Sequence, residues 1–311
     1  MWGNTFGWKI SAIILAVAVA VGAWLYSQMQ ITDPTSFSLD EKNLAELSPI
    51  GQKLFGPTAS GDAAKQYLQA VTAYRDDTDA TQGFAAKPQG TPPRAVQILL
   101  DAANLAGPVF QARPDQIIDY QNQHPDLDDL TELGGLLGRI GLLFQQAKNP
   151  QEAKRYYEAE YSLGRNLYNE QLNHDEFTSG QGLMDGATVN LSELEPDDRS
   201  LKEALAAQES IIQGNQERVA KIWEVLSSAS QERIAANAGD VFRFAAKSKE
   251  RMFRVEAILK LGRYRFDAAR AADQLAAPRV LRNLEQDPDP VIQAAARAAA
   301  NLTIEQYRMI H

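Results

Sequence analysis

Three histidines, no cysteine and a few acidic clusters are all that this 311-residue chain offers to metal binding or nucleophilic catalysis. His124, His174 and His311 stand 50 and 137 residues apart. No HxxxH or HExxH spacing therefore sets two imidazoles on one helical face. Without cysteine there is no disulfide framework, thiol nucleophile or thiolate metal site. Asp126, Asp128, Asp129 and Glu132, in HPDLDDLTE, are dense enough to suggest calcium. The stretch lacks the glycine turn and distal glutamate of a calcium loop, and acids at a helix start already complement the dipole. Neither GxxxxGK[ST] nor GxGxxG occurs, so no phosphate loop is present. No catalytic, cofactor-binding or metal-ligating residue is expected on these grounds.

Two further features could do chemistry. Gly182-Leu183-Met184, in GQGLMDG, resembles an element of lytic transglycosylases, which are exported helical enzymes. That family carries a Glu-Ser pair about fifteen residues upstream, where this chain has Leu167, so the acid that protonates the glycosidic oxygen is missing. An enzyme acting on cell-wall polymer would need an acid from the Glu170–Glu176 region, with carboxylates converging in a concave apolar pocket. The second feature is basic. From Arg243 to Arg270 nine Lys/Arg stand against Glu250, Glu256 and Asp267, and Arg263-Tyr264-Arg265-Phe266 interleaves cation and aromatic. Arg251, Arg254, Arg263 and Arg265 form the candidate face for an acidic partner, an anionic polymer or a lipid head group. Long basic stems also serve merely to cover apolar surface and solvate a helix.

The whole chain carries a net charge of −9. Residues 1–229 hold 17 Lys+Arg against 30 Asp+Glu, and residues 230–311 hold 14 against 10. An acidic body argues against nucleic acid as a general partner, because phosphate neutralisation needs clustered cations, and the basic carboxy-terminal part keeps a narrower version of that question open. Hydrophobic residues at 44% and charged residues at 23% are ordinary for a folded protein with a proper core.

At the amino terminus, Ile10 to Tyr26 carries no charge. With Trp8 and Lys9 it gives about 28 Å of helix, close to the hydrocarbon thickness of roughly 30 Å. Trp8, Trp24 and Tyr26 lie where interfacial rings belong, Lys9 precedes the span, and Asp33, Asp40 and Glu41 follow it. Residues 8–26 are thus expected to engage the lipid bilayer as a single-pass anchor, leaving the amino terminus cytoplasmic and the bulk of the chain extracytoplasmic. The alternative is a signal peptide cleaved near Ala23, after Val21-Gly22, which releases a secreted chain.

The elements that would position any site read as helices throughout. Capping boxes occur at Ser38/Glu41 and Thr303/Gln306, Asn149-Pro150 starts a helix, and Thr91-Pro92-Pro93 precedes one that Gly107-Pro108 ends. Residues 76–93, polar and Gly/Pro-punctuated, are expected to form a loop or linker. The domain reading is 1–27 anchor, 28–92 juxtamembrane helices and linker, 93–229 central helical domain, and 230–311 helical cap.

Leu137, Ile140, Gly141, Phe144, Ala153 and Tyr157 resemble the large–small pattern of one tetratricopeptide (TPR) helix pair over 137–160, with Glu160 where a small residue is expected. Tyr157, Tyr161, Gly164 and Tyr168 continue one helical face, read as core. Leu201, Leu205, Gln208, Ile212, Asn215, Val219, Ile222 and Leu226 form a heptad seam, which serves either a coiled-coil homodimer or neighbouring helices of the same chain. Finally, 252–262 aligns with 291–301 at an offset of 39, pairing Met252 with Val291, Arg254 with Gln293, Ala257 with Ala296 and Leu261 with Ala300. This is similar to the HEAT repeat, with DPDP as its turn and alanines where helix axes come within ~8 Å. Helices at FDAARAADQLA and APRVLRNLEQ are expected between the copies. The resulting expectation is an all-α bundle or short α-solenoid, TPR-like and HEAT-like, behind one transmembrane helix. Its function would be docking or assembly with an unknown protein partner, with no catalysis.

Overall fold

The computed structural model describes residues 62–105, 107, 109–110, 125–230, 242–243, 246–248, 250–267 and 271–310. The proposed anchor and the Ser38/Glu41 cap lie outside them. Among the described residues all regular structure is helical, with no strand. No described helix is long and apolar enough to cross a membrane.

Four helices open the fold: α1 (Ala63–Asp76), α2 (Thr78–Ala86), α3 (Arg94–Ala102) and α4 (Pro125–Gln146). The expected linker at 76–93 is corrected, because α2 occupies half of it. Asp77 makes both the stop and the start. Its N–H bonds back to the Ala73 and Tyr74 carbonyls, while its carboxylate accepts from the Ala80 N–H at 3.2 Å. Thr81, Phe84 and Ala85 of α2 are buried. The acids that opened the sequence reading are helix-start acids. Asp126 and Asp129 hold Arg75 of α1 at 2.8 and 2.6 Å, and Glu132 accepts from Gln82 of α2 at 2.8 Å. They draw the amino-terminal helices onto α4.

A turn through Lys148 leads into α5 (Pro150–Glu170), and one through Gln171 into α6 (His174–Leu194); both residues have positive φ. Connections this short make α4, α5 and α6 antiparallel neighbours. Asn149 caps α5 with Pro150 in its first turn. The three helices touch through glycine. A Cβ on Gly141 would fall 2.5 Å from the Tyr157 ring, and one on Gly164 would fall 2.7 Å from the Gly180 carbonyl. The pairing expected for 137–160 is therefore present as a close helical hairpin, with Ala153 and Tyr157 fully buried and Phe144 stacked on Tyr156 at 5.5 Å.

The 32-residue α7 (Arg199–Ser230) then returns parallel to α5. Its seam is satisfied within the chain. Leu201, Leu205, Gln208, Ile212, Asn215 and Val219 are all buried, and Tyr161 and Tyr168 bond Gln208 and Asn215 respectively. The tyrosines are seven residues apart and so are the amides, so the α5 tyrosine stripe and the α7 seam run in one heptad register. The seam is thus an intramolecular contact at the six positions whose side chains are described; Ile222 and Leu226 lie outside these.

The carboxy-terminal helices are α8 (Arg251–Tyr264), α9 (Ala271–Leu284), α10 (Pro290–Asn301) and α11 (Ile304–Ile310). α8 and α10 pack on one another and share a core with Ile212 and Val219 of α7 and with Tyr168, Phe177 and Met184. Met252 and Val291 are buried, as are Ala257 and Ala296, whereas Leu261 is buried and its aligned Ala300 only half-buried. The two helices expected between the copies are one, α9, with Pro278 inside it. Asp289 caps α10 at 2.9 Å, and Thr303 and Gln306 exchange the reciprocal bonds of a capping box at 2.9 and 3.2 Å.

Candidate functional site

The residue types with most chemical potential gather on α5, which is largely buried from Tyr156 onward. Glu160, Arg165, Asn166 and Glu170 are all buried on it. Arg165 donates to Asn166, whose amide donates in turn to the Tyr67 hydroxyl at 2.9 Å and the Leu105 carbonyl at 3.0 Å. Burial lowers the guanidinium's pKa and pushes the Tyr67 phenol up to about 12. This network fastens α5 to α1 and to the end of α3.

Glu160 has no such partners. Its carboxyl lies on the bare backbone of Gly138 of α4, where a Cβ would be 2.6 Å from Oε2, and close to Gly186 of α6. Oε2 is buried without a hydrogen bond, and desolvation pushes the carboxyl up to about 8. The residue that breaks the large–small pattern at 160 is accommodated by two missing side chains opposite it.

Glu170 and Glu176 meet, as the enzyme reading required of that region. Glu170 accepts from the Val109 N–H at 2.5 Å and the Phe110 N–H at 3.0 Å. Glu176 accepts from the Leu172 N–H at 2.8 Å and lies within hydrogen-bonding reach of Glu170. Burial, then the Glu170 charge, hold Glu176 protonated well above the usual carboxylate range. Glu176 Oε1 is buried without a hydrogen-bond partner. Glu176 is wholly buried, and neither Glu170 nor Glu176 lines either cavity described below. Leu167, at the family glutamate's place, is also in the core, as are Leu183 and Met184. Among the described residues no three His, Asp or Glu side chains form a metal-binding group.

The candidate arginines do not make one open cationic face. Arg251 donates to Asp289 at 2.9 Å and to the Glu170 carbonyl at 3.3 Å. Arg254 pairs with Asp287 and donates to the Ala246 carbonyl at 3.0 Å. Arg265 donates to the Ala299 and Ala300 carbonyls, a cation at a helix C-terminus, and sits over Phe266. Arg263, also half-buried, has interactions of its own. Gln293, aligned with Arg254, reaches the same turn, donating to the Asp287 carbonyl at 2.6 Å. The arginines therefore bolt α8 to the DPDP turn, to the end of α10 and to the end of α5.

Sequence reasoning missed the open part of the molecule. Between α6 and α7 runs a groove of about 720 Å³, within the range of ligand and peptide sites. Gln181, Asp185, Thr188 and Ser192 line it from α6, and Lys202, Gln208, Glu209, Gln213 and Gln216 from α7. Val189, 57% exposed, and the edges of Leu205 and Ile212 give it an apolar floor. Desolvation raises the Asp185 pKa, against a hydrogen bond from Gln181 that lowers it, and the Glu209 charge across the groove adds to the rise. Gln208 bridges the helices across it, donating to Thr188 at 3.3 Å, and His174 of α6 stacks on Trp223 of α7 at 4.7 Å. In the sequence these residues look like any solvated helix face. A second cavity of about 200 Å³, mostly apolar, lies between α1 and α4 against Val109 and Phe110.

No protein family, curated protein or solved structure matches this chain.

Proposed function

We propose that the protein is a non-catalytic docking module, an all-α scaffold displayed outside the cytoplasm on an amino-terminal anchor, which holds a segment of a partner protein between α6 and α7. One observation carries this reading: the groove. Elsewhere α4, α5 and α6 are packed to glycine contact, whereas α6 and α7 leave about 720 Å³ lined by amides, hydroxyls and a few charges. Amide side chains pair with a peptide backbone at both C=O and N–H, which suits a chain segment lying in a trough. The resemblances to TPR and HEAT repeats, whose folds serve as binding surfaces, agree with it. The apolar leading span supports the anchor.

Site-specific photo-crosslinking in the producing cell tests the proposal. A crosslinker at Val189, in the groove, is expected to give a discrete adduct with another protein. One at Leu275, 84% exposed on α9 and away from the groove, is expected to give only background. Identical patterns from the two positions would overturn it.

A further inference from the structure

Resting on that docking reading, we infer that the groove selects an extended peptide in which a lysine or arginine and an acidic residue stand three positions apart. The observations are the lining charges and their order. Asp185 of α6 and Glu209 of α7 line the groove from its two helices, close enough for the Glu209 charge to act on Asp185, and among the described residues neither is in an ion pair across it; Asp185 accepts only from Gln181, at 3.4 Å. Lys202 is the groove's cation, seven residues along α7 from Glu209, or about 10 Å at ~1.5 Å per residue. An extended chain covers that distance in about three residues at ~3.3 Å each. A basic side chain placed between Asp185 and Glu209 relieves their repulsion, and an acidic one three positions away meets Lys202.

The intervening lining is neutral. Thr188, Ser192 and Gln213 offer donors and acceptors to main-chain amides, and Val189 and Leu205 offer an apolar strip. A glycan is the disfavoured occupant, because the groove's lining includes no aromatic ring on which a sugar face could stack. A nucleic acid is disfavoured by the two carboxylates at its centre.

Random-peptide phage display on the full-length chain in mild detergent tests this. Asp185, Lys202 and Glu209 are exposed, so D185N/E209Q and K202E leave the core untouched. Selected peptides are expected to carry Lys/Arg-x-x-Asp/Glu or its mirror. D185N/E209Q should weaken them at least about tenfold, as loss of a complementary charge pair does. K202E should shift selection from the acidic residue to a second basic one. Peptides that bind and are lost on Val189→Asp, yet show no charge pattern, would overturn this inference while leaving the docking reading intact. If no selected peptide depends on Val189, both fall. Binding of cell-wall glycan fragments that D185N/E209Q abolishes would overturn the peptide assignment.

Discussion

Replacing Glu160 by glutamine makes the strongest test of the buried architecture. The carboxyl sits between the backbones of α4 and α6, 5% exposed, with Oε2 unpartnered and its pKa raised from 4.5 to about 8. An acid whose pKa is raised by folding holds its proton more tightly in the folded chain than in the unfolded one. Its contribution is therefore fully present below the unfolded value, declines as pH rises, and is gone above the folded value. Between about pH 5 and pH 8 nearly three units of that window are crossed, at ~1.36 kcal/mol per unit, so the loss is on the order of 3 kcal/mol after rounding at the ends.

Glutamine has nearly the same shape and no proton to lose. Urea denaturation of the full-length chain in mild detergent, at about pH 5 and pH 8, reads the difference. Wild type and E160Q are expected to be close at the lower pH, and E160Q to be more stable by on the order of 3 kcal/mol at the higher. Glu176 is pushed in the same direction but titrates in both proteins, so it cancels. A gap between the two proteins that is unchanged from pH 5 to pH 8 would refute the reasoning, because the carboxyl would then be solvated in the folded state.

Glycine substitutions separate contact from empty space. Gly164→Ala drives a Cβ to 2.7 Å from the Gly180 carbonyl, a backbone atom that cannot step aside, and is expected to cost about 3 kcal/mol or more. Gly182→Ala meets nothing within 4 Å and should raise stability by about 1 kcal/mol, with thermal melts distinguishing the two. Arg254→Ala leaves Asp287 with the Asp289 N–H at 2.9 Å but without the guanidinium that lowers its pKa against the opposing effect of burial, and should cost about 2 kcal/mol at neutral pH. The Asp287 contribution is present above the ordinary value of 3.8 and fades as pH falls, so R254A and wild type should converge in acid when denatured side by side. A topology reporter fused after His311 is expected to be active outside the cytoplasm and silent within it; the reverse signal would end the display reading.

What the sequence made legible was local. Asn149, Asp289 and the Thr303/Gln306 box cap helices because a cap is decided within four residues. Residues 76–93 misled because Gly83 and the polar run mask two buried residues, Phe84 and Ala85, whose partners are distant in sequence. The break expected near Ala276–Ala277 is absent, because α9 continues through Pro278. The basic run was visible, but its carboxylates belong to a turn more than thirty residues on, so the arginines looked available when they were engaged. The groove had no signature, since hydrophilic helix residues carry no mark that separates a lining from a solvated face.

The heptad seam was visible too, and its polar interruptions are what explain the groove. Gln208 and Asn215 weaken a free coiled coil, yet Tyr161 and Tyr168 present hydroxyls at the same seven-residue spacing on α5. A tyrosine reaches its partner only at the length of its ring and hydroxyl, so the register that fastens α7 to α5 also fixes a long separation. α6 lies on the same helix by the opposite device, with Gly164 and Gly180 bringing the two backbones together. One neighbour of α5 is thus held near and the other far. The space between α6 and α7 is the difference between a glycine contact and a tyrosine contact, built in on both sides. It follows that the groove does not depend on an occupant to exist, and that shortening the spacer, not loosening the core, is what should close it.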